Sequence, residues 1–144
     1  MGGGMPIGAF ISSWELMNLL TFKPKLGHIS TFGGHPVNCA ASFATLEHLL
    51  ATDIMQEIKK KEQLFRLHLK HPKIKETRGE GLMLAIEFED DELAKKVVEQ
   101  SLKNGLILFY FLFTKSAIRI TPPLTISNKE IIDGCKIIKE ILDA

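Results

Sequence analysis

The sequence predicts an α/β chain whose second half is a small lobe, a largely antiparallel sheet with helices packed on one face. Two observations carry that prediction. Apolar residues recur at helical spacing over positions 37–50, 54–69, 94–101 and 131–142, whereas Leu82, Leu84 and Ile86 alternate with Met83, Ala85 and Glu87 at the period of a strand. From Ile74 onward the order reads β-β-α-β-β-α, with glycine, proline and capping residues at the joints.

Composition narrows the class. A chain of 144 residues is one ordinary domain or two small lobes. With 45% hydrophobic and 24% charged residues it has the make-up of a soluble globular protein. A formal net charge of +1 gives no field that would collect nucleic acid or an anionic membrane, so neither partner is expected. The longest apolar run, positions 106–113, is far short of the roughly 20 residues that span a bilayer. Glycines follow Met1 where a signal peptide would carry positive charge, and a cytoplasmic location is the expectation. Cys39 and Cys135 make no disulfide framework and are expected as buried free thiols on helices.

Taken in order, the chain opens on Gly2, Gly3 and Gly4, which contribute no core side chain and are expected to be held by preceding residues or to lie hard against something. A short buried strand is expected over 6–12. Ser12 and Glu15 stand at capping-box spacing before a short helix that reaches Leu20, and 23–27 close it as a loop. The stretch from His28 to Asn38 then places Gly33, Gly34 and Pro36 beside Ser30, Thr31, His35 and Asn38 at a helix entrance. Main-chain N–H groups and a hydroxyl converging there would hold an anion. An ordinary helix entrance packed tightly on a neighbour accounts for the same residues.

In the helix that follows, Val37, Ala40, Ala41, Ala44 and His48 share a face whose alanines allow close approach of another backbone. Thr52 or Asp53 can cap a second helix to about Leu69, ended by His71-Pro72, with the charge run at 59–62 as its solvated face. Strands are expected over 74–77 and 81–88, joined through Arg78-Gly79-Glu80-Gly81. Asp90 or Asp91 starts a helix that Asn104-Gly105 stops. Strands at 106–109 and 117–121 flank a turn at Thr114-Lys115-Ser116, and Ser127 with Glu130 caps a last helix that turns Ile131, Cys135, Ile138 and Leu142 inward.

Several chemistries are absent. Neither a dinucleotide nor a P-loop glycine pattern occurs, and G-x-S-x-G is missing. His35 and Cys39 stand four apart on one helix face, but no third ligand follows at a recognisable spacing, so no metal is expected. Arg119, set between Ile118 and Ile120, needs an explanation. It can receive a carboxylate ligand, close an internal ion pair, or lie on the open face of the sheet.

Four motifs in order, Gly2-Gly3-Gly4-Met5-Pro6-Ile7-Gly8-Ala9, His28-Ile29-Ser30-Thr31-Phe32-Gly33-Gly34-His35-Pro36, Arg78-Gly79-Glu80-Gly81-Leu82-Met83 and Ala117-Ile118-Arg119-Ile120-Thr121-Pro122-Pro123-Leu124, resemble the C-terminal third of class III pyridoxal-phosphate aminotransferases, the ornithine, acetylornithine and 4-aminobutyrate group. The resemblance implies the C-terminal part of a type I pyridoxal-phosphate-dependent transferase fold. Positions 1–50 would end the large cofactor-binding domain, incomplete here, and 51–144 would form the small C-terminal α/β domain. It also implies a homodimer with active sites at the subunit interface.

By that likeness Thr31 matches the threonine that reaches the cofactor phosphate of the partner subunit, and Arg119 the arginine that receives the substrate's carboxylate. Gly2, Gly3, Gly4, Ser30, Gly33 and Gly34 fall in loops beside the cofactor, while Arg78 and Gly79 match a mainly structural motif. The departure concerns chemistry. The Schiff-base lysine expected shortly before Gly2, the aspartate that pairs with the pyridine nitrogen, the aromatic that stacks on the ring and the glycine-serine phosphate element have no match, and none of Lys23, Lys25 or Lys59 stands where it could replace the lysine. The intact polypeptide is therefore expected to use pyridoxal 5'-phosphate to move an amino group from an amino acid or terminal amine to a 2-oxo acid, and this chain alone to be an inactive C-terminal fragment that binds no cofactor covalently. The other reading is a non-catalytic α/β module that binds a partner chain or a small anion.

Overall fold

The computed structural model describes residues 1–21, 23, 25 and 29–144, and the loop expected at 23–27 and the first residue of the His28 stretch lie largely outside them. The chain forms two compact units, Met1–Asp53 and Ile54–Ala144.

Among its described residues the first unit holds two α-helices. Helix α1, Trp14–Asn18, is capped by Ser13, whose hydroxyl accepts from the Leu16 N–H, and passes into a 3-10 turn at Leu19–Thr21. The cap is thus one residue later than the Ser12 and Glu15 spacing suggests. No strand forms over 6–12. A strand exists only through a neighbour that takes its hydrogen bonds, and none is present for this segment among the described residues. Helix α2, Pro36–Ala51, begins on proline, which has no N–H to leave unsatisfied at that position. None of its residues is buried, and Val37, Phe43, Leu46 and Leu50 are all exposed. Cys39 is exposed too, against the expectation of a buried thiol.

The second unit carries the core. Helix α3, Ile54–His68, is followed by strands β1, Ile74–Glu80, and β2, Met83–Phe88, helix α4, Asp91–Lys103, strands β3, Phe109–Tyr110, and β4, Ala117–Ile120, and helix α5, Asn128–Asp143. The strands lie in the order β1-β2-β4-β3, every neighbouring pair antiparallel. Leu84 stands opposite Ile120 and Ile86 opposite Ile118, and all four are buried. They meet Phe65 of α3 and Leu69 just after it, Ala94 and Val97 of α4, and Ile131, Cys135, Ile138 and Leu142 of α5, so the helices share one face of the sheet. Burial pushes the Cys135 thiol up to about 12, which leaves it protonated and inert. Among the described residues no helix is long and apolar enough to cross a membrane.

The local signals act as read. Asp90 caps α4 by accepting from the Leu93 N–H, Asn104 ends it with Gly105 at φ +81°, and Ser127 and Glu130 form the full capping box of α5. Two boundaries differ from expectation. The β1–β2 connection is the two-residue turn Gly81-Leu82, with Gly79 opposite Leu84 and Glu80 opposite Met83, so Arg78 and Gly79 lie within the strand. The left-handed φ of +60° at Gly81 suits the mirror-image turns that match strand twist. The third strand is also only two residues long and starts at Phe109.

The charge run on α3 is not uniformly solvated. Lys61 is buried, and its ammonium donates to the Leu124 carbonyl at 2.8 Å. Glu62 accepts from Arg66 at 2.8 Å and from the Gly81 N–H at 2.8 Å, while Arg66 donates to the carbonyls of Thr77 and Gly79 at 2.7 Å each. This clamp ties α3 to the β1–β2 hairpin. The hydrogen bond from Arg66, with that from Gly81, holds the Glu62 carboxyl below its ordinary value of 4.5. A depressed carboxylate stabilises the fold above the unfolded pKa, and its contribution is lost as pH falls through the lowered folded value. Glu62→Ala is therefore expected to cost about 1.5–3 kcal/mol at neutral pH, the range for hydrogen bonds to a charged group. Urea unfolding followed by circular dichroism should show that deficit narrowing below about pH 4. A deficit constant down to pH 2 would assign the loss to packing instead.

Candidate active site

In the first unit the glycine run makes a tight turn. The Met5 N–H donates to the Gly2 carbonyl at 2.9 Å, and Gly3 and Gly4 at its centre have φ of +54° and +113°. A Cβ on Gly3 would lie 2.5 Å from the Thr45 hydroxyl, so this glycine is pressed against α2. The following segment is tied to the same helix, since the Asn38 side-chain amide donates to the Pro6 carbonyl at 2.7 Å.

Two successive turns bring the chain to α2. The Gly33 N–H donates to the Ser30 carbonyl at 3.1 Å and the His35 N–H to the Phe32 carbonyl at 3.2 Å. Of these two glycines only Gly34 needs a left-handed φ, at +74°; at Gly33 a Cβ would lie 3.0 Å from the Ser30 Oγ, a tight contact that rotation of the hydroxyl can relieve. These turns use two of the N–H groups that an anion would want. His35 precedes the helix without a side-chain cap. Thr31 is exposed, and its hydroxyl has no partner among the described residues. A concavity of about 520 Å³ opens between Pro6–Gly8 on one side and Ser30, Gly33, Gly34, His35 and Asn38 on the other. Sequence reasoning did not single out Asn38 as the tie, or the Pro6–Gly8 wall. A side-chain amide bonded 32 residues away has no local signature.

In the second unit the open face of the sheet presents one row across all four strands, Arg78, Ala85, Arg119 and Phe109, each directly opposite the next. Arg78 is neutralised by Glu87, with Glu76 at 3.5 Å. Arg119 is exposed and makes no ion pair among the described residues. Its guanidinium carbon lies 5.7 Å from the Phe109 ring centroid and 6.0 Å from that of Phe111. Of the three readings of Arg119, the internal ion pair is removed. A planar, always-charged fork with its edge unclaimed is suited to a carboxylate. Among the described residues no cluster of three or more His, Cys, Asp or Glu side chains could hold a metal, and His35 and Cys39 acquire no further ligand.

The family model for aminotransferase class III matches residues 1–142. An acetylornithine aminotransferase of Caldanaerobacter subterraneus is 35% identical over 147 residues, covering 99% of this chain and 36% of that protein. The chain thus spans about a third of the length of this curated relative. Among solved structures, the ornithine aminotransferase of Toxoplasma gondii is 33% identical with a TM-score of 0.73, covering 90% of this chain and 31% of that one. The adenosylmethionine-8-amino-7-oxononanoate aminotransferase of Methanocaldococcus jannaschii is 28% identical with a TM-score of 0.71, covering 83% of this chain and 30% of that one. The fold is the C-terminal part of a type I pyridoxal-phosphate-dependent transferase, and the chain belongs to the class III aminotransferases.

Proposed function

We propose that this chain supplies the C-terminal part of an active site that moves an amino group from an amino acid or terminal amine to a 2-oxo acid. The observation that carries the reading is Arg119, a guanidinium on the open sheet face with no carboxylate to neutralise it among the described residues. Its match within the family motif supports the same role.

The Ser30 hydroxyl and the Gly34 backbone line the first unit's concavity and fit the phosphate end of pyridoxal phosphate; Thr31 does not line it, but is the exposed neighbour of Ser30, and its hydroxyl has no partner among the described residues. Bound cofactor supplies the electron sink that acidifies the substrate's α-carbon. Thr31 would donate a hydrogen bond from its hydroxyl to a phosphate oxygen of the partner subunit's cofactor, while Gly2, Gly3, Gly4, Ser30, Gly33 and Gly34 would shape the loops beside it. Arg119 binds the substrate's carboxylate and so orients the carbon that loses its proton. Positions 1–50 end the large cofactor-binding domain and 51–144 form the small C-terminal domain of a cytoplasmic homodimer. Among the described residues no lysine lines the concavity, which supports an amine supplied by polypeptide outside this chain. The exposed apolar residues of the first unit, Ile11 and Trp14 ahead of and in α1 and Phe43 and Leu50 in α2, support cover by such polypeptide.

The isolated chain is then expected to be silent. Incubated with pyridoxal phosphate and reduced with borohydride, it should show no stoichiometric pyridoxyl adduct by intact mass and no transamination. One adduct per chain together with turnover would overturn the fragment reading; binding of inorganic phosphate alone, with no gain of activity on assembly, would favour an anion-binding module. In the assembled dimer, Thr31→Val should weaken cofactor binding by about 1.5–3 kcal/mol, the range for a hydrogen bond to a charged group. Mixed dimers with a lysine-deficient subunit decide whether the threonine acts across the interface, since the trans role requires loss at the site whose lysine lies in the other chain.

A further inference from the structure

We infer that Phe109 and Phe111 are positioning residues for Arg119, holding its guanidinium by their rings so that its N–H edge stays free for a carboxylate. Phe109 lies directly opposite Arg119 in the β3–β4 pair, and Phe111, two residues on, returns to the same side. The ring centroids are 5.7 Å and 6.0 Å from the guanidinium carbon, within the range where a cation is attracted to an aromatic face. A ring face accepts no strong hydrogen bond and carries no net charge. It therefore orients the arginine without neutralising it, whereas a carboxylate in the same place would consume the fork that the ligand needs.

The rest of the face keeps other partners away. Glu87, on the neighbouring strand β2, is engaged by Arg78. Ala85, which separates Arg78 from Arg119 in the row, has no polar atom to offer from its side chain. Phe109 is itself 55% exposed, so its ring face is open to the guanidinium. Arg119 thus stands as a charge held in place from the side, with its edge unclaimed.

This inference rests on the reading of Arg119 as a carboxylate receptor, and two measurements on the full 144-residue chain separate them. The first is the chemical shift of the Arg119 side-chain protons, which stacking moves upfield through ring currents. Phe109→Leu and Phe111→Leu are each expected to reverse part of that shift, and Phe109→Tyr to retain it. An Arg119 shift that is already unperturbed, or that neither leucine variant alters, overturns the positioning role. The second is titration with succinate as the probe, followed at the Arg119 Nε–H and at the backbone amides of Ile118 and Ile120, with Arg119→Gln as the blank for the amides. Each leucine variant should weaken binding about two- to fivefold, with the tyrosine variant restoring it. Ring-current shifts without a saturable succinate response would overturn the receptor reading and leave the stacking intact. Succinate binding that is equal in wild type and both leucine variants would overturn the inference while the receptor reading stands.

Discussion

Arg119→Ala in the assembled enzyme is expected to raise KM for the carboxylate-bearing substrate by about 30-fold or more, with little change in melting temperature. The magnitude follows from the cost of removing one partner of a desolvated, hydrogen-bonded charge pair, roughly 2–5 kcal/mol, with each 1.4 kcal/mol a factor of ten. The small stability effect follows from position. Arg119 lies on the open face of the sheet, makes no ion pair among the described residues, and is flanked by the core residues Ile118 and Ile120, which the substitution leaves in place. Surface replacements of this kind usually change stability by less than about 0.5 kcal/mol, and loss of the two ring contacts adds a fraction of a kcal/mol each. Steady-state kinetics and a thermal melt on the same preparation decide between roles. An unchanged KM with a collapsed melting temperature would show Arg119 to be structural.

Gly79→Ala should have the larger effect on the fold, a loss of about 3–5 kcal/mol. Gly79 sits inside β1 at φ +117°, a conformation that side chains rarely adopt, and a Cβ there would lie 2.1 Å from the Met83 carbonyl oxygen and 3.0 Å from the Leu84 Cα. Both obstacles are backbone atoms of the neighbouring strand and cannot swing aside. Strain of about 1–3 kcal/mol and overpacking of similar size therefore add. The same carbonyl-bearing glycine also accepts from Arg66, so a displaced β1 loosens the clamp to α3. Gly105→Ala is the control, because Gly105 has φ +81° but open space where its Cβ would go, and should lose only about 1–2 kcal/mol. Equal losses in the two variants by urea unfolding would show that the backbone conformation alone matters. Since β2 lies between β1 and the strand that carries Arg119, a displaced β1 should also disturb the open face.

Features that depend on neighbours a few residues away were legible in the chain alone. The Ser127 and Glu130 cap, the Asp90 cap, the Asn104-Gly105 stop and proline at the head of α2 are local hydrogen-bond and dihedral requirements, written within three or four residues. The inward set of α5 was legible for the same reason, since a helix has a fixed period. Family likeness then pointed to Thr31 and Arg119. What the sequence could not contain was the state of groups whose partners come from afar. Lys61 sits in a run of charges, yet a carbonyl 63 residues away draws its ammonium inward. Arg78 and Arg119 are the same residue type on one sheet face, and only the strand order gives Glu87 to the first and two phenylalanine rings to the second. Segment 6–12 shows the converse: its apolar residues satisfy a strand pattern, but pairing is a property of two segments, and the second was never in the local sequence to be read.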